Sequence, residues 1–237
     1  MKNVFLQAQW RNLILANYEF DPSDLKKHLP HKTELDIFNN KCLVSLVGFK
    51  FCDTKVKGLK IPFHTDFEEV NLRFYVKYKS EDGHWRRGVV FIKEIVPKPA
   101  ITFVANTLYN ENYETMPMRH LWHSASKLEV SYEWKFQNSW NRLKVSADNK
   151  SCCFAEGSEE EFITEHYWGY TKIKGNKTAE YGVEHPKWNV HPVETYDIQV
   201  NCKAIYGNEF ACLSSQVPNS VFLAEGSEIK VLKGTRI

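Results

Sequence analysis

The pattern of hydrophobic and polar positions is that of short strands. In EEVNLRFYVKY, residues 68–78, Val70, Leu72, Phe74 and Val76 alternate with Glu69, Asn71, Arg73 and Tyr75, which places the two sets on opposite faces of one strand. LEVSYEWKF, 128–136, alternates as strictly and predicts a half-buried antiparallel strand. QWRNLILANYEF, 9–20, reads as a strand. It runs into DPSDLKKHL, where Asp21 caps a short helix and Pro22 suits its first turn. TELDIF and KCLVSLVGFKF flank Asn39-Asn40 and predict a hairpin. RRGVVFIKEI and AITFVA read as further strands, KVKGLKIPFHTDF as a loop.

In the second half, Ser158 and Glu161 form a capping-box pattern ahead of EEEFITEH, a short helix. Lys174-Gly175-Asn176-Lys177 turns HYWGYTKI back into TAEYGVEH. TYDIQVNCKAIYG fits strand or helix, and SVFLAEGSEIKVL predicts a hairpin over Gly226-Ser227. Many short strands with few helices predict a mainly β fold, a barrel or a sandwich with small helical insertions.

Composition narrows the picture. The 237 residues, 43% hydrophobic and 14% aromatic, suffice for one β domain spanning 1–237 with a full core. A net charge of +2 from dispersed charges leaves no stripe for nucleic acid. The first fifteen residues lack the pattern of a signal peptide and no window approaches a membrane span, so the expectation is a cytoplasmic protein with no membrane partner. The six cysteines show no C-x-x-C spacing and read as reduced thiols.

For chemistry, TEHYWGY (164–170) and VEHPKWNV (183–190) each hold a Glu-His pair followed by a tryptophan. Zinc needs three or four ligands. The helical H-x-x-x-H spacing is missing and Pro186 stiffens the second pair, so no metal is expected. Neither G-x-S-x-G nor G-x-G-x-x-G occurs, and no nucleotide or other cofactor is expected. The polar face Glu69, Asn71, Arg73, Tyr75 meets solvent on an open sheet. In a closed barrel it lines the interior, where Arg73 or Arg87 would clamp a small organic acid and Glu69 would hold that arginine or act as acid and base.

The strings QWRNLILANYEFDPSDLKKHLP, ELDIFNNKCLVSLVGFKF, EEVNLRFYV, RRGVVFI, TEHYWGYT, EYGVEHPKW and IYGNEFACLSSQVPNSVFLAEGSEIKV, in this order, resemble the YqjF-like bacterial family of unknown function, itself akin to acetoacetate decarboxylase. The resemblance implies a closed antiparallel β-barrel around a cavity, with short peripheral helices. It also implies a Schiff-base lysine in the region TLYNENYETMPM, yet no lysine stands at Asn112, Tyr113, Glu114 or Thr115. Glu69 matches the family's strand carboxylate, with Glu68 one residue out of register. The resemblance thus implies a retained pocket with altered chemistry. Tyr109, Tyr113, Trp168, Tyr170 and Trp188 would line it with His166 and His185 at its edge. The expected function is binding of a small carboxylate- or carbonyl-bearing metabolite. A lysine-independent lyase or hydratase acting on a keto acid, or an interaction scaffold, are the alternatives, and a homodimer is compatible with the strand aromatics.

Overall fold

A computed structural model describes residues 3–237, and of residues 108 and 109 the backbone alone. Strand β1 (Val4–Glu19) carries the first apolar run. Asp21 then accepts from the Ser23 amide at 2.8 Å and opens α1 (Pro22–Leu25). There follow β2 (Thr33–Leu35), β3 (Leu43–Val56), β4 (Phe67–Lys79), β5 (Trp85–Val96), α2 (Pro99–Val104), β6 (Tyr113–Thr115), β7 (Met118–Ser124), β8 (Leu128–Phe136) and β9 (Ser139–Ala147). The chain continues through α3 (Glu159–Thr164), β10 (Trp168–Ile173), β11 (Lys177–Glu184), β12 (Val190–His191), β13 (Val193–Gln199), α4 (Cys202–Tyr206), β14 (Ser220–Leu232) and β15 (Thr235–Arg236). Among the described residues no helix is long and apolar enough to cross a membrane.

The larger sheet runs β12-β14-β1-β3-β4-β5-β10-β11-β15, with β2 on β4 and β6 on β5. A further pairing sets Val183 and Glu184 of β11 against Val231 and Lys230 of β14, so the path from β14 through β1, β3, β4, β5, β10 and β11 leads back to β14. Most pairings are antiparallel, but β10 and β6 lie parallel to β5. This departs from a purely antiparallel arrangement because β5 and β10 are joined by a long excursion through the second sheet, not by a hairpin. That sheet has the order β13-β9-β8-β7.

Packing distinguishes two apolar compartments. One holds Val70, Leu72, Phe74 and Val76 of β4 with Val130, Tyr132 and Trp134 of β8 and Leu143 and Val145 of β9. The other, on the opposite face of β4, gathers Leu13, Leu15, Val47, Phe49, Phe51, Phe67, Tyr75 and Trp188. Strand β4 is therefore sealed on both faces, with Glu69 and Asn71 as buried as their apolar neighbours.

Several local expectations change. AITFVA is helical, because Pro99 offers no amide to a ladder and its fixed φ suits the first turn of α2. Asn39 and Asn40 do make a tight turn with φ of 46° and 63°, bridging Phe38 and Lys41. The preceding β2 nevertheless pairs with β4, not β3. TYDIQVNCKAIYG is both strand and helix, divided between β13 and α4. Among the cysteines, Cys42 and Cys202 are buried, whereas Cys152, Cys153 and Cys212 are exposed.

SVFLAEGSEIKVL is one continuous strand, β14, not a hairpin. Gly226 at φ +76° lies opposite Arg11, next to Asn12 at φ 51°, so the pair bends without reversing. A Cβ on Gly226 would fall onto the Trp10 carbonyl oxygen. We expect Gly226→Ala to lower stability by about 2 kcal/mol or more in urea denaturation, since both the left-handed backbone and the close approach exclude a side chain. An unchanged midpoint would refute this account of the bend.

Candidate functional site

On its second buried face the larger sheet borders a cavity of about 490 Å³. Its walls are mainly apolar, and the aromatic side chains among them include Phe49, Phe51 and Phe67, Phe91, Trp10, Trp168 and Trp188. Polar side chains converge on it from several strands. Glu69, Asn71 and Arg73 come from β4, Glu94 from β5, Tyr113 from β6, Tyr181 from β11, and Glu111 from the segment before β6.

The placement of Glu94 depends on a bulge. Phe91 and Glu94 are three residues apart, which strict alternation would put on opposite faces. The β4–β5 register, however, runs Asn71 to Glu94, Leu72 to Lys93 and then Arg73 to Phe91, skipping Ile92, and so returns Glu94 to the cavity side. Asn112 pins the irregular stretch: its Nδ2 donates to the Ile92 carbonyl at 2.5 Å and its own carbonyl accepts from the Glu94 amide at 3.0 Å. Asn106 holds Tyr113 at both its amide and its carbonyl, at 2.8 and 2.9 Å. Tyr181 reaches inward across Gly169, where a Cβ would overlap its phenol ring.

Within this cluster Asn71 Nδ2 donates to Glu69 Oε1 at 3.0 Å and the Tyr113 hydroxyl donates to Oε2 at 3.2 Å. Thr171 Oγ1 donates to Glu111 at 2.7 Å, and Tyr181 bonds the same carboxyl. Burial raises Glu69 and Glu111 to about 7. Burial and the charges of Glu111 and Glu69 raise Glu94 well above the carboxylate range. Burial likewise raises the phenols of Tyr113 and Tyr181.

Arg73 is the arginine of the described cavity lining. Its Nη2 reaches the Ile163 carbonyl at 3.5 Å and its guanidinium lies 5.8 Å from the Tyr75 ring centre. Among the described residues it forms no ion pair and its buried Nε has no hydrogen-bond partner. Lys57 is the lysine of the lining. It sits on the exposed connection after β3, while Lys93 pairs with Glu114 at 2.7 Å.

His166 is buried, and burial lowers its pKa to about 4. Neutral, it donates from Nε2 to Asp36 Oδ2 at 3.1 Å, the same oxygen that accepts from Arg87 Nε at 2.6 Å. Burial would raise Asp36, but these bonds hold it below its ordinary value. Nδ1 of His166 is buried without a partner among the described residues. His185 instead bonds the Pro186 carbonyl at 2.9 Å and stacks on Trp188 at 4.2 Å between ring centres. The two Glu-His pairs therefore serve different corners. Among the described residues no group of three or more His, Cys, Asp or Glu is arranged to hold a metal.

Of the residues singled out from sequence, Glu69, Asn71, Arg73, Tyr113, His166, Trp168, His185 and Trp188 line the cavity. Three do not. Tyr75 lies beneath it, bonded to Ser45 Oγ at 2.6 Å; Arg87 is engaged with Asp36; Tyr170 faces the other compartment and donates to the Arg86 carbonyl at 3.2 Å. The side chain of Tyr109 lies outside the described residues. No local sequence pattern singles out Glu94, Tyr181, Glu111 or Asp36: the bulge turns Glu94 inward, a cross-sheet pairing brings Tyr181, the segment before β6 carries Glu111, and Asp36 bonds His166.

A family model matches residues 7–228, nearly the whole chain. The chain belongs to the DUF2071 family of uncharacterized conserved proteins. It is 23% identical over 197 residues to the uncharacterized protein YqjF of Bacillus subtilis (strain 168), covering 83% of this chain and 78% of that protein. Among solved structures, acetoacetate decarboxylase from Legionella pneumophila superposes with a TM-score of 0.67 at 12% identity, covering 99% of this chain and 88% of the other. The enduracididine biosynthesis enzyme MppR complexed with pyruvate gives 0.68 at 10%, covering 100% and 91%. This DUF2071 chain thus has an acetoacetate decarboxylase-like fold.

The buried carboxyls set the sign of a pH effect. Carboxyls titrating near 4.5 when unfolded but near 7 when folded keep their full contribution below about pH 4.5. They lose it as pH rises to about 7. His166 works oppositely, costing stability as pH falls from 6.5 to about 4. Glu69→Gln removes this carboxyl together with the influence of its charge on Glu94. We expect the variant to gain on wild type between pH 4.5 and 7, by on the order of 3 kcal/mol at the plateau. Parallel stability curves in urea titrations would refute it.

Proposed function

We propose that this DUF2071 protein binds a small carboxylate- or carbonyl-bearing molecule in the cavity, with the ring of strands acting as a closed barrel and residues 1–237 as one domain. The observation that carries the reading is a pair of buried donors on the wall, Arg73 Nε and Trp10 Nε1, neither with a partner among the described residues. A buried donor left unpaired costs about 1–3 kcal/mol, and an acceptor-bearing ligand removes that cost. Apolar walls and a volume near 490 Å³ suit a small organic molecule held by a few polar contacts. MppR, of the same fold, is complexed with pyruvate, a molecule of this class. A lining whose lysine is the exposed Lys57 supports binding without a Schiff base.

Calorimetric titration with short alkyl carboxylates and 2-oxo and 3-oxo acids tests the reading. Saturable binding by wild type, weakened about tenfold or more in Arg73→Met, is expected from loss of a charge-assisted contact. Equal affinities in the two proteins, or no binding anywhere in the panel, would refute it.

One observation favours a catalytic extension. Glu69, raised to about 7 and fixed by Asn71 and Tyr113, is poised as an acid or base at neutral pH. On this reading the protein is a lysine-independent lyase or hydratase acting on keto acids. Proton exchange or product formation followed by NMR should then fall about a hundredfold or more in Glu69→Gln. Turnover that is undetectable in wild type leaves binding alone.

A further inference from the structure

The cavity lining carries both an arginine and a cluster of carboxyls. Arg73 lies near Ile163, with its charge felt at His166 and His185 and, as the smallest of the influences named there, at Glu69. Glu69, Glu94 and Glu111 belong to the same lining, and among the described residues none of the three has an ion-pair partner. The donors within this cluster are the Asn71 amide and the hydroxyls of Tyr113, Tyr181 and Thr171; they are spent on Glu69 and Glu111, with Tyr113 reaching Glu94 as well.

Two acceptors remain. Asn71 Oδ1 and Glu94 Oε2 have no hydrogen-bond partner among the described residues, and their side chains belong to residues only 1% and 3% exposed. Both residues line the cavity. Buried acceptors without donors are as costly as buried donors without acceptors. The group that satisfies several such acceptors at once, and offsets the charge of clustered carboxylates, is a nitrogen cation with multiple N–H bonds.

We propose that the ligand is an ω-amino or ω-guanidino carboxylic acid, its carboxylate on Arg73 and its cationic nitrogen received by Glu94, Asn71 and their neighbours. This rests on the reading of the cavity as a carboxylate site and adds the chemistry of the ligand's other end. The raised carboxyls support it, because a cation arriving among them displaces protons.

Titration calorimetry on the intact protein compares γ-aminobutyrate, ε-aminocaproate and γ-guanidinobutyrate with butyrate, valerate and caproate, in phosphate and in Tris at one pH near neutrality. The best cationic acid should bind about tenfold or more tightly than the alkyl acid of its length. Its apparent enthalpy should differ between the buffers as protons leave the site, while that of the alkyl acid should not. Glu94→Gln and Glu111→Gln, each of which replaces a buried carboxyl by an amide of the same shape and so should fold, are expected to narrow the preference to about threefold or less. Alkyl acids that bind as tightly as their cationic counterparts would overturn the proposal and leave the carboxylate reading standing. Failure of both series to bind would take down the two together. A preference that survives in both glutamine variants would also overturn it, because the cation would then sit elsewhere.

Discussion

Strand β4 is closed to water on both faces, and the rest of the site depends on that constraint. Val70, Leu72, Phe74 and Val76 are fully buried on one side against the second sheet. Such burial contributes about 1.5–3 kcal/mol per large side chain and locks the register. Because the side-chain period is two, locking one face also places Glu69, Asn71 and Arg73 on the other. A one-residue slip would drive Glu69 and Arg73 into the aliphatic core and push valines into the cavity. The polar groups are thus held in an unfavourable environment by the apolar face behind them.

Electrostatically, Arg73 and the cavity carboxyls are not a compensating pair. An arginine and a glutamate brought into contact would neutralise each other, lower the carboxyl's pKa and leave nothing for a ligand. Here Arg73 exerts a smaller influence on Glu69 than burial, the Asn71 and Tyr113 bonds or Glu111 do. Among the described residues the cation and these acids line one chamber without forming an ion pair. Such an arrangement costs stability in the empty protein and is characteristic of sites that hold polar ligands in dry surroundings.

How much of this was legible in the sequence follows from the period of each strand. Where alternation is unbroken, as in Val70 to Val76 or Val130 to Trp134, both the strand and its buried face could be read directly. The polar set on β4 could be read in the same way, though not whether it faced solvent or an interior. Glu94 could not, because the skipped Ile92 shifts the face by one residue, and its anchor, Asn112, lies twenty residues away in sequence. Asp36 and Tyr181 join the site through pairings between distant strands, which no local pattern encodes. AITFVA has a β-rich composition, and its helical state depends on Pro99 at the first turn. The continuous β14 was misread because Gly226-Ser227 has the chemistry of a turn while the structure uses it as a bend.

The segment in which the fold's relatives imply a lysine has a different occupation here. Asn112 spends its side chain on the Ile92 carbonyl and its backbone on the Glu94 amide, while Asn106 fixes Tyr113 beside it. These bonds orient Glu94 and Tyr113 toward the cavity, so the segment positions an acid and a phenol instead of presenting an amine. A lysine at Asn112 would forfeit the contact that stabilises the bulge, and Glu94 would lose the reason for its orientation. Within this frame, presenting an amine from the protein and building the bulge that turns Glu94 inward are therefore competing uses of one short stretch of chain, and the hydrogen bonds of Asn112 commit it to the second.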